Sequence, residues 1–378
     1  KMNVELKNRK ENFGRITVKV GSNVLTNDDG SLNTWRISRI VEDLAILYRN
    51  GIEVILVTSG AVAAGRSEIT PSRKTSVVES RQILAAVGQV KLMSHYQYLF
   101  GKYGIPAGQV LATRESFMDR RHYLNMRNCI MAMLDNKIIP IVNENDTISV
   151  NELMFTDNDE LSCLITSMMD CSSLIILTNV DGIYTGIPGD DGTELIREVR
   201  PDAEGIEQYI FSFRSEFGRG GMLTKYSNAR RLASEGVRVF IANGLRDSII
   251  TDIVRGKDVP YTHFLPAGKR RNSVKKWIAH SATFARGVVV VNRGAKEALM
   301  GPKASSLLLV GVTRIEGSFK KGDIVRIIDE EGNSIGLGKS EYDSDKAIQN
   351  IGQKCSKPLV HYHYLVLNEN AGVEPVVF

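Results

Sequence analysis

Up to residue 255 the chain repeats one pattern, a short and nearly unbroken apolar run followed by a longer segment with helical spacing. ITVKV (16–20) precedes a helical pattern over 33–50. VILVT (54–58) precedes a helix start of small residues and a long helical stretch around 76–101. GQVLAT (108–113), a helix near 115–135, KIIPIVN (137–143), LIILT (174–178), a helix opening at Gly221 and VRVFIAN (237–243) complete the series. Apolar runs without polar alternation are the mark of strands covered on both faces. Strands that alternate with helices require crossover connections, which make neighbouring strands parallel. The expected fold is therefore α/β, a mostly parallel open sheet sandwiched by helices, over residues 1–260. Prolines, glycines and charges crowd residues 261–276, which read as a linker. Residues 277–378 hold short apolar runs (GVVVVN, LLLVGV, DIVRII, YLVLN) spaced by turns such as EGSFKKGD and DEEGNSIG, the pattern of a small β-rich domain.

Composition narrows the function. The longest apolar runs fall well short of the roughly 18 residues a bilayer crossing needs. The first fourteen residues are charged and contain no apolar stretch of the secretory kind. Cys129, Cys163, Cys171 and Cys355 are too few and scattered for a disulfide framework, and no CxxC or HExxH is present. A cytoplasmic protein without a membrane partner is expected. The net charge of +5 is uneven. Residues 268–378 carry 17 Lys and Arg against 11 Asp and Glu, whereas residues 1–267 carry 31 against 32. The cluster Lys269, Arg270, Arg271, Lys275 and Lys276 leaves two readings open, an anionic partner for the C-terminal part or a solvated linker.

Polar and glycine clusters fall where the apolar runs end, and open parallel sheets bind ligands outside the carboxyl ends of their strands. Lys19 interrupts the first run between two valines. A lysine there needs an anionic partner unless the strand lies at an edge. Gly21 and Ser22 follow in a turn able to approach a phosphate. Ser59 and Gly60 open a helix of tiny side chains, suited to an anion or to plain capping. Asn143, Glu144, Asn145 and Asp146 end another strand, suiting the amino group and polar ends of a small substrate. Asp157, Asn158 and Asp159 precede a helix, as caps or as partners of lysines, a substrate amine or a metal-bound phosphate. Thr178, Asn179 and Tyr184 flank a turn able to cup a base. Gly218, Gly220 and Gly221 lead into a helix with Lys225 in its first turn, where the dipole disfavours a cation unless an anion is bound. There is no GxxxxGK[ST], no HRD or DFG, and no GxGxxG after the first strand, which excludes P-loop proteins and protein kinases and argues against dehydrogenases. No GxSxG surrounds Ser59, so a nucleophilic serine is unsupported.

Taken together, KVGSNVLT, LVTSGAVAAGR, LAAVGQV, NEND, DNDELS and GRGGMLTK occur in the order shown by the glutamate 5-kinase family of the amino acid kinase superfamily. ARGVVVVNRGAKEAL, SSLLLVGVTRIEGSFKKGDIVRI and SEYDSDKAIQNIG resemble its appended PUA domain. The resemblance implies ATP-dependent phosphorylation of the L-glutamate γ-carboxylate, the first step of proline biosynthesis, with Mg²⁺ accompanying ATP and no metal ligand from the protein. It implies that Lys19 and Lys225 stabilise the phosphoryl group and that Asp159 organises them. Ser59, Asn143, Asp146 and Asn158 match glutamate-binding positions. Gly21, Ser22, Thr178, Asn179 and the loop of Arg219, Gly220, Gly221, Met222 and Lys225 match the ATP side. Proline is implied as a feedback inhibitor, and a homo-oligomer, dimer or tetramer, is expected. RNA binding by the PUA domain is left open. Three positions depart from the family pattern: Asn179 where Asp is common, Thr156 in place of glycine, and Asn292-Arg293 in place of the Asp-centred opening of many PUA domains. Other carboxylate or carbamate kinases of the superfamily, and an RNA-binding or regulatory protein with an idle kinase half, are the alternatives.

Overall fold

A computed structural model describes residues 13–149, 158–211, 221–268, 278, 285–301, 305–353, 355 and 357–368. The chain divides into two compact units, residues 1–116 with 120–270, and residues 271–378 with 117–119. Among the described residues, no helix is long and apolar enough to cross a membrane.

The first unit is built on an eight-stranded sheet: β1 (Arg15–Val20), β2 (Glu53–Thr58), β3 (Ala107–Ala112), β4 (Ile139–Glu144), β5 (Ser173–Thr178), β6 (Glu198–Val199), β7 (Arg238–Asn243) and β8 (Tyr261–Phe264), in the order β3-β4-β2-β1-β5-β7-β8-β6. Every pairing is parallel except that of β7 with β8. Successive side chains of a strand face opposite ways, and here each direction meets a core. Ile175 and Leu177 of β5 and Phe240 and Ala242 of β7 belong to one apolar cluster, while Leu174, Ile176, Val239 and Ile241 belong to the other. That is why the runs read as continuously apolar. β1 lies between β2 and β5, and Lys19 pairs in register with Val57 and Ile176. Lys19 therefore stands in a central strand, and the edge-strand reading fails.

The helices of this unit include α1 (Ser22–Leu25), α2 (Thr34–Arg49), α3 (Ala61–Arg66), α4 (Val77–Gly101), α5 (Arg120–Asp135), α6 (Asn158–Met168), α7 (Ile206–Phe211), α8 (Met222–Ser234) and α9 (Ile249–Arg255). α4 begins with a capping box: the Glu79 amide donates to the Ser76 hydroxyl at 3.2 Å and the Ser76 amide to the Glu79 carboxylate at 2.7 Å. α3 and α4 touch backbone to backbone. A Cβ on Gly88 would lie 1.8 Å from the Ala61 carbonyl, and one on Gly65 would lie 2.0 Å from that of Leu84. The small residues of AVAAG and LAAVG are thus a packing requirement.

Three details depart from the sequence pattern. Tyr261–Phe264, which the pattern puts at the head of the linker, form β8 inside the sheet, with Phe264 buried. The run KIIPIVN yields a strand only from Ile139. Lys137 adopts φ 60°, and the Ile138 amide donates to the Met133 carbonyl, so the first residues of the run end α5. Asn158 and Asp159 form the first turn of α6 and do not precede it.

The second unit holds β9 (Gly287–Val291), β10 (Val312–Gly317), β11 (Ile324–Ile328), β12 (Ser334–Ser340) and β13 (Val360–Leu367) in the order β10-β9-β11-β12-β13. β9 and β11 are parallel and the other neighbours antiparallel. Val289, Val291, Val325, Ile327 and Phe319 fill its core. Asn292 caps α10 (Arg293–Met300) by accepting from the Ala295 amide at 2.8 Å, which gives that departure from the PUA pattern a local structural job. α11 (Ser344–Gln349) and a 3-10 turn (Leu309–Gly311) lie in the same unit.

Candidate active site

A cleft of about 950 Å³ opens at the carboxyl ends of β1, β2, β4 and β5. Lys19, Gly21, Ser22, Ser59, Asn143, Asp146, Asn158, Asp159, Thr178, Asn179, Gly221, Met222 and Lys225 all line it. Arg219 and Gly220, expected in the ATP loop, lie outside the described residues, as does Thr156.

At its floor is an ion-paired trio. Asp159 is 0% exposed. One of its carboxylate oxygens is 2.5 Å from the Lys19 Nζ and the other 2.8 Å from the Lys225 Nζ. The three charges come from three elements, the end of β1, the first turn of α6 and the first turn of α8. Burial pushes the Asp159 carboxyl up, but the Lys19 and Lys225 ammoniums outweigh it and hold the group below the usual carboxylate range. The carboxylate also faces the favourable end of the α6 dipole and supplies the anion that a lysine in the first turn of α8 requires. The trio carries a net charge of +1 at the mouth of an otherwise apolar sheet, which draws in anions.

Beside the trio is a neutral hydrogen-bonding group. The Asn158 amide nitrogen donates to the Thr58 carbonyl at 2.8 Å, to the Ser59 hydroxyl at 2.8 Å and to the Asn143 side-chain oxygen at 3.1 Å. The Asn143 amide in turn donates to Gln89 of α4 at 2.9 Å. Gly60, with φ 99°, is the residue that caps α3, so Ser59 is not spent as a helix cap and its hydroxyl faces the cleft. Asp146, in the turn after β4, is 2.7 Å from the Arg81 guanidinium.

On the β5 side, the Gly21 amide donates to the Leu177 carbonyl at 3.2 Å. A Cβ on Gly21 would lie 3.3 Å from the Leu177 carbonyl oxygen and 3.5 Å from the Lys19 Nζ, so a larger residue there would crowd the lysine. The Thr178 hydroxyl donates to the Asn179 side chain at 3.3 Å. The following turn is pinned by Asp181, which accepts from Arg246 at 2.8 and 3.0 Å, from Asn243 at 3.1 Å and from the Tyr184 hydroxyl at 3.3 Å. Hydrogen bonding to Arg246 keeps the Asp181 carboxyl low despite partial burial. Tyr184 stays at the cleft wall. Arg81, Gln89, Arg246 and Asn243 were not singled out by sequence. Gln89 lies in the LAAVGQV run, which marks the family but gives the glutamine no role, the other three have no motif around them, and only the packing of distant segments gives each of the four a role.

An amino acid kinase family model matches residues 14–243, and a PUA domain model matches residues 287–362. The chain belongs to the amino acid kinase family. Within that family it is 53% identical to the glutamate 5-kinase of Bacteroides thetaiotaomicron, over 95% of this chain and 99% of that protein. It is 47% identical to the glutamate 5-kinase of Chlorobaculum tepidum, over 94% of this chain and 98% of that protein. A solved carbamate kinase from Giardia lamblia bound to AMP-PNP is similar over 67% of this chain and 99% of that one, at 15% identity and a TM-score of 0.48.

Proposed function

We propose that this chain transfers the γ-phosphoryl group of ATP to the γ-carboxylate of L-glutamate, giving ADP and γ-glutamyl 5-phosphate, the first step of proline biosynthesis. The observation that carries this reading is the buried Asp159 carboxylate holding Lys19 and Lys225 on opposite oxygens in one cleft. Two relatives that align over nearly the whole chain and bear the name glutamate 5-kinase support the choice of substrate.

The chemistry explains why such a site suffices. The carboxylate oxygen attacks the γ-phosphorus as the bond to the β–γ bridging oxygen breaks, and both partners are anions. Catalysis of such a transfer is mainly positioning and charge stabilisation. Two ammoniums fixed by a third buried charge are preorganised for the charge that develops on the transferred group. No general base is needed, because the attacking carboxylate is already ionised at neutral pH. Asp146 takes the substrate ammonium, and Ser59, Asn143 and Asn158 bind its polar atoms. Backbone amides at Ser22, Gly221 and Met222 face the phosphates, Gly21, whose own amide is held by the Leu177 carbonyl, leaves room beside Lys19 for them, and Thr178 and Asn179 face the nucleotide. Mg²⁺ enters with ATP as part of the substrate. Both Asp159 oxygens lie against ammoniums, which suits an ion carried on phosphate oxygens and water. Proline shares the amine nitrogen and α-carboxylate of glutamate, so it competes for the same group of side chains.

The test is ADP release coupled to an indicator reaction, with Mg-ATP and L-glutamate, N-acetylglutamate, aspartate or carbamate as acceptor, and hydroxylamine to trap the acyl phosphate. Glutamate-dependent ADP release with matching hydroxamate is expected. Release driven by another acceptor, with glutamate inert, would overturn the proposal.

A further inference from the structure

The reaction above assigns no work to Arg81. This side chain lines the cleft, and its Nη2 lies 2.7 Å from an oxygen of Asp146. It is carried by the second turn of α4, a rigid mount. The capping box fixes the helix start, Gln82 donates to the Thr147 carbonyl at 2.8 Å, and Gln89 accepts from Asn143 at 2.9 Å. One helix thus holds both the guanidinium and the turn that bears Asp146.

An α-amino acid carries its ammonium and carboxylate on a single carbon. A site that places the ammonium against Asp146 brings the α-carboxylate close to the same aspartate, where it is repelled unless a cation stands within contact. Arg81 is that cation, and its planar fork matches a carboxylate. Arg66 also lines the cleft but stands exposed at the end of α3, while it is Arg81 that touches Asp146. We infer that Arg81 receives the α-carboxylate of the substrate while Asp146 receives its α-ammonium, so that the pair selects α-amino acids over ω-amino acids and plain dicarboxylates. The inference rests on the reading of Asp146 given under the proposed function.

Two analogues separate the two charges. 4-Aminobutyrate keeps the amine and lacks the α-carboxylate, and glutarate keeps both carboxylates and lacks the amine. Their inhibition constants against glutamate are measured with the full chain as wild type, Arg81→Met, Arg81→Lys and Asp146→Asn. Arg81→Met should raise the glutamate KM about 10- to 100-fold, the cost of one charged hydrogen-bonded contact. It should change the 4-aminobutyrate constant by no more than about threefold, a shift well under 1.4 kcal/mol. Arg81→Lys should recover part of the loss, and Asp146→Asn should spare glutarate. Equal weakening of glutamate and 4-aminobutyrate in Arg81→Met would reduce Arg81 to a prop for Asp146 and overturn the inference. So would an unchanged glutamate KM, or the same selective loss in Arg66→Met. Melting curves verify folding, and Arg81→Lys carries the comparison if Arg81→Met does not fold. If the wild type fails to phosphorylate glutamate, the proposed function falls separately, and calorimetric binding of glutamate against 4-aminobutyrate still tests the role of Arg81.

Discussion

Replacing Asp159 by Asn keeps the shape of the site and removes one charge. What remains is two ammoniums, on side chains 5% and 12% exposed, facing each other across a neutral amide. At a separation of roughly 5–6 Å and an effective dielectric of about 20, their repulsion is about 3 kcal/mol. Removing one partner of a buried ion pair costs about 3–5 kcal/mol by a second route of reasoning, so the two estimates agree. Part of that loss is relieved when a lysine swings toward solvent or sheds its proton, and either escape empties the position from which it acts. Losing one preorganised donor lowers the rate by about 10²–10³, so with both lysines disturbed kcat should fall at least about 1,000-fold. Bound nucleotide replaces the missing anion, so Mg-ATP should raise the melting temperature of the variant more than that of the wild type. The pH dependence has a definite sign. The Asp159 carboxyl is lowered in the fold, so its contribution is complete above the unfolded value near 3.8 and is lost only as pH falls below it. The stability gap between wild type and Asp159→Asn should be level from pH 5 to 8 and close in acid. A variant that melts with the wild type and keeps kcat within a few-fold would show that the trio neither holds the fold nor sets the lysines.

Lys19→Met and Lys225→Met should each lower kcat at least about 100-fold with a much smaller change in glutamate KM, because their interactions strengthen as the phosphoryl group moves; a Lys19→Met enzyme with normal kcat would end the mechanism proposed above. Asp43 is buried and accepts from the Ile250 amide at 3.1 Å and the Thr251 hydroxyl at 3.2 Å, and burial pushes its carboxyl up to about 6. Ionising it therefore destabilises the fold as pH rises from about 4 through 6, by about 3 kcal/mol at most. The wild-type urea midpoint should drop relative to Asp43→Asn over that range and run parallel to it above, and a gap independent of pH would refute the assignment. Gly88→Ala places a methyl 1.8 Å from the Ala61 carbonyl. The obstacle is backbone, so the cost should be at least about 1–3 kcal/mol, visible as a lower melting temperature, and an unchanged melt would mean that α3 and α4 are not in backbone contact.

Lys19, Lys225 and the NEND turn were legible in the sequence because each breaks a local rule, whereas Asp159, an ordinary residue for the first turn of a helix, stood out only through the family resemblance. A lysine inside an apolar strand, a lysine at the start of a helix and a dense polar group at a strand end are all costly unless something elsewhere pays for them. β1, β2, β5 and β7 were legible because burial on both faces leaves an unbroken apolar signature. β8 was not, because YTHF alternates between buried and half-buried residues and sits among prolines. Arg81 was not, and Gln89 only as part of LAAVGQV with no role attached, because an arginine or glutamine on a long helix is ordinary until a turn from residues 143–147 is laid against it. The pairing of Gly65 and Gly88 was half legible. The clusters of small residues stood out, but that they face each other is a property of the fold.

The position of Asp159 explains why the site is built around a carboxylate that touches no substrate atom in the proposed reaction. Two lysines aimed at one phosphoryl group would repel each other in the empty enzyme and leave the cleft for water. A shared counter-ion at zero exposure removes that tendency without neutralising the pair, since one negative charge against two positive ones leaves +1 for the incoming phosphates. The desolvation cost of burying three charges is borne by the sheet and the starts of α6 and α8, whose dipole favours Asp159 and opposes Lys225. Asp159 offsets that opposition in the empty cleft, and the charge left over on the two ammoniums is what an incoming phosphate meets.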